Sequence, residues 1–141
     1  LTKKLEIVQE LVIPSTADQI QVVEEKAERL ARQAGFAEDE CDNIAIAITE
    51  MVANAIFHGN KANAAKNVYV RFTLTISDFI ISIRDEGEGF DPAGVADPLK
   101  PENLLKDRGR GIFIVRTLMD DLIITRASPG TEVVLIKHRK R

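Results

Sequence analysis

The sequence lacks most features that would take it out of the ordinary globular class. It has one cysteine, Cys41, in 141 residues. No intrachain disulfide can form, and no cluster of cysteines can bind zinc. A reducing compartment is therefore expected, which for this chain means the cytoplasm. Charge of one sign is also missing: 19 Lys and Arg stand against 22 Asp and Glu, a formal net charge of −3. Composition thus makes no general case for nucleic acid or for an anionic membrane surface. The basic stretch 137–141 is local and reads as a solvated tail, with an electrostatic docking patch as the alternative. No apolar run approaches the roughly 20 residues needed to span a bilayer. No signal-peptide pattern is seen, and the chain opens at Leu1, which leaves room for a longer parent. Repeats and low-complexity segments are absent. So is the G-x-x-x-x-G-K-[ST] signature of a P-loop.

What remains is an ordinary balance of 45% hydrophobic and 29% charged residues. The length fits one domain, 1–141. A chain of this size buries about 70% of its unfolded surface, enough for a sizeable core.

Hydrophobic periodicity orders the elements. Leu5, Ile7, Leu11 and Ile13 alternate with Glu6 and Glu10, a strand that Pro14 ends. Ser15 is the expected cap of a helix with Asp18 in its first turn. Ile20, Val23, Ala27, Leu30 and Ala34 recur at helical spacing, and Gly35 is a natural stop. A second helix opens on the acidic run Glu38, Asp39 and Glu40 and continues to about His58 and Gly59. Residues 68–76 and 79–83 alternate around a Ser77-Asp78 turn, which predicts a hairpin. A long irregular stretch rich in glycine and proline covers 85–108; such stretches within compact domains usually serve function. A helix is expected after Gly111, then strands at about 121–127 and 131–138 around Ser128, Pro129 and Gly130. Strands joined by tight turns pair antiparallel. The predicted architecture is α+β: a two-layer sandwich with a mixed, mostly antiparallel sheet and helices on one face.

Three constellations carry chemistry. Glu50 and Asn54 lie four apart on one helix face, opposite Ile44, Ile48, Met51, Val52 and Ala55. By spacing alone this is the solvated face of an amphipathic helix. A carboxylate and an amide one turn apart also suit a hard cation or the orientation of a hydroxyl. His58 reads as a capping or packing residue. Asp85 shares the parity of Phe79, Ile81 and Ile83, so it faces inward if they do. A buried carboxylate needs donors, from the protein or from a ligand. Gly87 and Gly89 directly after it let another group approach the backbone; an ordinary turn with a capping Asp is the alternative. Finally Asp107, Arg108, Gly109, Arg110 and Gly111 precede a helix. Free N–H groups and the helix dipole make such a start an anion site; a flexible loop closing on a helix is the plainer reading. The glycines do not sit in a βαβ unit, so a dinucleotide fingerprint is poor.

In this order the motifs resemble those of the Bergerat-type ATPases, the superfamily of DNA gyrase, histidine kinases and MutL. Glu50 with Asn54 resembles the N-box, 85–89 the first glycine box and 109–111 the second. The strings I-T-E-M-V-A-N-A-I-F-H-G-N and G-R-G-I-F-I-V-R-T-L-M-D, the short lid and the compact length are most similar to the anti-sigma-factor serine kinases. The resemblance covers about residues 5–138. It implies that Asp85 accepts from the adenine amino group, Asn54 coordinates a magnesium ion bridging the ATP phosphates, and Glu50 acts as general base. Gly87 and Gly89 would shape the adenine side, and Gly109 and Gly111 the phosphate side. Arg108, with Arg110 as its competitor, would contact the terminal phosphate. A lid over about 91–108 is expected to order when nucleotide binds.

The resemblance implies a protein serine/threonine kinase. Its substrate would be a STAS-type anti-anti-sigma protein and its other partner a sigma factor, with homodimerisation through the first strand and helix. A non-catalytic, nucleotide-dependent binding module is one alternative. The ATP-binding domain of a histidine kinase is another; residues 1–141 show no phospho-accepting helix pair ahead of the domain, and a longer parent chain could carry one.

Overall fold

The structure is a computed structural model that describes residues 6–87 and 109–140. Its elements follow in the order β1 (Ile7–Pro14), α1 (Gln19–Gln33), α2 (Glu38–Ala53), a π-helical turn (Asn54–Gly59), β2 (Asn67–Leu74), β3 (Asp78–Arg84), α3 (Gly109–Leu118), β4 (Asp121–Arg126) and β5 (Thr131–His138). The strands form one sheet in the order β1-β2-β3-β5-β4. Every described pair is antiparallel, so the expected sheet carries no parallel component among the described residues.

Alternation decides which face is buried. Val68, Val70, Phe72 and Leu74 of β2, Phe79, Ile81 and Ile83 of β3, and Val133 and Leu135 of β5 join the helices in one core. That core also takes Val23, Ala27, Leu30 and Ala31 from α1, and Ile44, Ile48, Met51 and Val52 from α2. Phe79 sits between Phe36 and Phe72, with ring centroids 6.2 and 6.3 Å away, a favourable tilted arrangement. Cys41 is fully buried in α2, and burial pushes its thiol upward, so it packs as a small apolar residue. The opposite sheet face carries Glu10, Arg71, Ser82, Arg84 and Glu132; Arg71 Nε donates to Glu10 across the β1–β2 pair at 2.7 Å. No helix among the described residues is long and apolar enough to cross a membrane.

Three local expectations need correction. Ser15 does not cap α1. The helix starts at Gln19 after Asp18, while the Ser15 hydroxyl is buried, donates to Lys66 O and accepts from Asn60 Nδ2. Tertiary partners outcompete the local cap because a buried hydroxyl must find them. The second helix does not run on as a regular α-helix to Gly59: it widens at Asn54, and Asn60 N donates to Ala55 O. The last helix begins at Gly109, so Gly111 lies inside its first turn rather than before it. The acidic start of α2 is as expected, with Glu40 reaching back to Ala37 N at 3.1 Å.

Candidate functional site

The site is built where the ends of β3 and β5 meet the far end of α2. Asp85 follows the last residue of β3 and is 2% exposed, so the inward parity read from the strand holds. Its amide donates to Thr131 O at 3.0 Å. In return, its Oδ1 accepts from Thr131 N at 3.1 Å and from Gly87 N at 2.9 Å. Two backbone donors on one oxygen satisfy part of the demand of a buried carboxylate.

Three glycines pack closely around this aspartate. A Cβ on Gly59 would overlap Asp85 Oδ2, one on Gly130 would overlap Asp85 O, and one on Gly87 would overlap Gly59 O. Sequence reading identified Gly87 but missed Gly59 and Gly130, because their roles come from contacts 26 and 45 residues along the chain. Thr131 was missed as well. It is buried beside Asp85, and its hydroxyl has no hydrogen-bond partner among the described residues. A buried hydroxyl in that condition points to a water or ligand atom as its partner.

A brace holds the Asp85 turn against the helix. Asn60, just beyond the π turn, is buried. Its Nδ2 donates to Ser15 Oγ at 2.8 Å and to Asn67 O at 3.0 Å, while its Oδ1 accepts Glu86 N at 2.7 Å. One amide side chain thus ties the end of β1, the start of β2 and the exit of β3. The Glu86 carboxylate completes the brace by accepting Tyr69 O–H and Asn67 N. Those two bonds, Tyr69 first, hold its pKa below the usual carboxylate value. Lys61 and Ala62 follow with φ of 53° and 57°, a conformation uncommon for residues with a side chain. The widened turn and the left-handed pair together deliver Gly59 to Asp85. Widened turns of this kind often mark functional positions.

The second half of the site lies between α2 and α3. Glu50 and Asn54 occupy the flank of α2 that meets α3. A Cβ on Gly111 would stand 3.0 Å from Glu50 Oε1 and 3.3 Å from Asn54 Nδ2. The second glycine motif is therefore packed onto the acid–amide pair. Gly109, Arg110 and Gly111 form the first turn of α3, where backbone N–H groups lack helical partners and the dipole favours an anion. Arg110 is exposed there. His58 is exposed on the π turn and is not gathered with these groups. Gly89, Arg108 and the lid expected over 91–108 lie outside the described residues. No group of three or more His, Cys, Asp or Glu that could hold a metal occurs among the described residues. Magnesium beside phosphates is commonly bound by few protein ligands together with phosphate oxygens and water.

Comparison with known proteins agrees with this fold. The family described as histidine kinase-like ATPase domain matches residues 13–137. The chain is 29% identical over 138 residues to proteins named serine-protein kinase RsbW from Bacillus thuringiensis (strain Al Hakam) and Bacillus anthracis, covering 94% of this chain and 85% of each relative. Among solved structures it is similar in fold to the RsbU and RsbW domains of a Mycobacterium tuberculosis protein. That match has a TM-score of 0.68 at 17% identity, over 95% of this chain and about a third (33%) of that one. A mycobacterial sensor histidine kinase, MprB, has a TM-score of 0.55 at 15% identity over 94% of this chain and 97% of its own. The α+β sandwich is thus the fold of these proteins, and the resemblance to Bergerat-type ATPases is borne out. With the fold and the family match over residues 13–137 in agreement, the chain belongs to the histidine kinase-like ATPase domain family.

Proposed function

We propose that the chain is an ATP-dependent protein serine/threonine kinase of the cytoplasm. Its substrate is a STAS-type anti-anti-sigma protein, and it also binds a sigma factor, so that phosphorylation shifts which partner it holds. The observation that carries this reading is the packing of Gly111 against Glu50 and Asn54, which puts an anion-binding helix start beside an acid and an amide. The serine-protein kinase name of the relatives at 29% identity supports the choice of acceptor. The match to a sensor histidine kinase supports the fold alone.

In this reading Asp85 accepts from the adenine amino group, and the Thr131 hydroxyl supplies a second polar contact at the same end. The first turn of α3 receives the phosphates through the backbone of Gly109 and Gly111, with Arg110 adding positive charge. Asn54 would hold the magnesium ion, and the chemistry that ion would supply is neutralisation of phosphate charge. Glu50 removes the proton from an acceptor serine or threonine hydroxyl. The hydroxyl oxygen bonds to the γ-phosphorus, the bond to the bridging oxygen breaks, and ADP leaves with that electron pair.

The test mixes the purified chain with STAS-type proteins from the same genome, radiolabelled ATP and magnesium. Label on a serine or threonine of one of them is the expected result. No transfer to any of them, with a sigma factor still held in the presence of ATP, would make the chain a nucleotide-dependent binding module.

A further inference from the structure

The solvent side of α2 is not polar where it passes the site. Its burial pattern divides the helix into sides. Cys41, Ile44, Ile48, Met51, Val52 and Ala55 face the core. Thr49, within 3.5 Å of Glu24, marks the side toward α1, and Glu50 and Asn54 mark the side toward α3. Between those flanks, pointing away from the sheet, run Ile46 and Ala53, seven residues apart on one stripe, and exposed Phe57 follows them on the π-helical turn. Ile46 is 47% and Phe57 45% exposed, both among the largest exposed apolar residues described. Single exposed apolar residues need no explanation. Here two large ones and a small one form an uncharged ridge alongside Glu50.

We propose that this ridge is the docking surface for the acceptor segment of a protein substrate, and that the segment carries apolar side chains on both sides of its serine or threonine. The inference rests on the kinase reading and adds how the acceptor is chosen. A hydroxyl that gives its proton to Glu50 must come within about 3 Å of it. The chain on either side of that hydroxyl must then lie on whatever surrounds Glu50. Among the described residues, one flank is closed by the start of α3 and the other is the ridge. Ile46 precedes Glu50 by four residues, roughly 6 Å along the axis at 1.5 Å per residue; Phe57 follows by seven, less than the roughly 10 Å of a regular α-helix because the helix widens at Asn54. An extended segment rises about 3.3 Å per residue. Its apolar residues would therefore fall about two positions to one side of the hydroxyl and about two to three to the other. Ala53, between the two knobs, leaves room for the backbone. Uncharged contacts of this kind make the site select by apolar pattern rather than by charge.

The experiment compares the wild-type chain with the double variant Ile46→Ser, Phe57→Ser and the conservative Ile46→Leu. A STAS-type protein from the same genome is the probe. Its binding is measured by fluorescence anisotropy with ADP and magnesium, and its phosphorylation with ATP. The double variant is expected to weaken partner binding and raise KM for the partner at least tenfold. Its affinity for a fluorescent ATP analogue should stay within twofold, which also reports an intact fold, and Ile46→Leu should behave as wild type. Unchanged partner binding by the double variant would overturn the ridge proposal. So would a loss of ATP affinity as large as the loss of partner affinity, because the ridge would then serve the nucleotide. If wild type binds the partner but transfers nothing, the kinase reading fails, while loss of binding in the double variant still supports the ridge. A wild type that binds none of the STAS-type proteins overturns both.

Discussion

Gly111 meets Glu50 where α3 begins: a side-chain carbon at position 111 would lie 3.0 Å from the Glu50 carboxylate oxygen. Two motifs 61 residues apart are thus in contact, and a side chain at 111 would make that contact tight. Gly111→Ala should push Glu50 and Asn54 by a few tenths of an ångström. Misplacement on that scale is costly for a positioned catalytic group. We expect phosphoryl transfer to fall by on the order of tenfold or more. Thermal stability should barely change, because alanine's helix propensity, better by about 1 kcal/mol, offsets the crowding. Single-turnover transfer beside a melting curve checks both; unaltered transfer would separate the two motifs functionally.

Asp85→Asn should weaken ATP binding without unfolding the chain. The substituted side chain keeps an oxygen for the two amides of Gly87 and Thr131 that Asp85 Oδ1 now accepts. What changes is the charged acceptor offered to adenine, typically about 1.5–3 kcal/mol, or roughly ten- to a hundredfold in affinity. Preference for ATP over GTP should fall with it. Titration of a fluorescent nucleotide gives the answer, and full affinity in the variant would remove Asp85 from the site.

Asn54→Ala should blunt the response of ATP binding to added magnesium. No carboxylate-rich cluster among the described residues can substitute for the amide, and magnesium bound beside phosphates relies on few protein ligands. Calorimetric titration over a range of magnesium concentrations is the measurement. A wild-type magnesium dependence would return residue 54 to the plain solvated face of a helix.

Glu50→Gln should leave ATP binding within a few-fold and partner binding intact, yet lower transfer by on the order of a hundredfold or more. General-base contributions usually run to about 10²–10⁴-fold. Single-turnover transfer at saturating ATP isolates this step. Equal rates would mean that positioning alone carries the reaction or that the base lies elsewhere.

Tyr69→Phe should make the protein less sensitive to acid in its relative stability. The Tyr69 hydroxyl is the largest cause holding the Glu86 carboxyl below its ordinary value of 4.5. A carboxyl depressed in the folded state adds stability that is present above the unfolded value and is lost as pH falls through the folded one. The gap in stability between wild type and Tyr69→Phe should therefore be full near neutrality and shrink as pH drops below about 4.5. Denaturant titrations between pH 3 and pH 7 measure it, and a gap independent of pH would detach Tyr69 from Glu86.

Legibility of the fold tracked the range of the interactions involved. Alternation in 68–76 and 79–83 and the helical spacing of Val23, Ala27 and Leu30 are local patterns, and the structure follows them. The parity of Asp85 with Ile81 and Ile83 was enough to place its carboxylate inward. Ser15 shows the limit. Its local pattern is that of a helix cap, but burial gave it partners at Asn60 and Lys66 that no window of neighbours contains.

The sequence by itself determined the element order, the inward aspartate and the residue types that could serve a nucleotide, because propensity and periodicity act over a few residues. Only the tertiary structure decided that α2 widens at Asn54, that Gly59, Gly87 and Gly130 close on Asp85, and that Gly111 rests on Glu50. The close contacts among them depend on how near two segments approach, and the permitted distance is set by the side-chain atoms that glycine lacks. A glycine read alone is a turn former; what its absent side chain makes room for is settled when the other chain segment arrives.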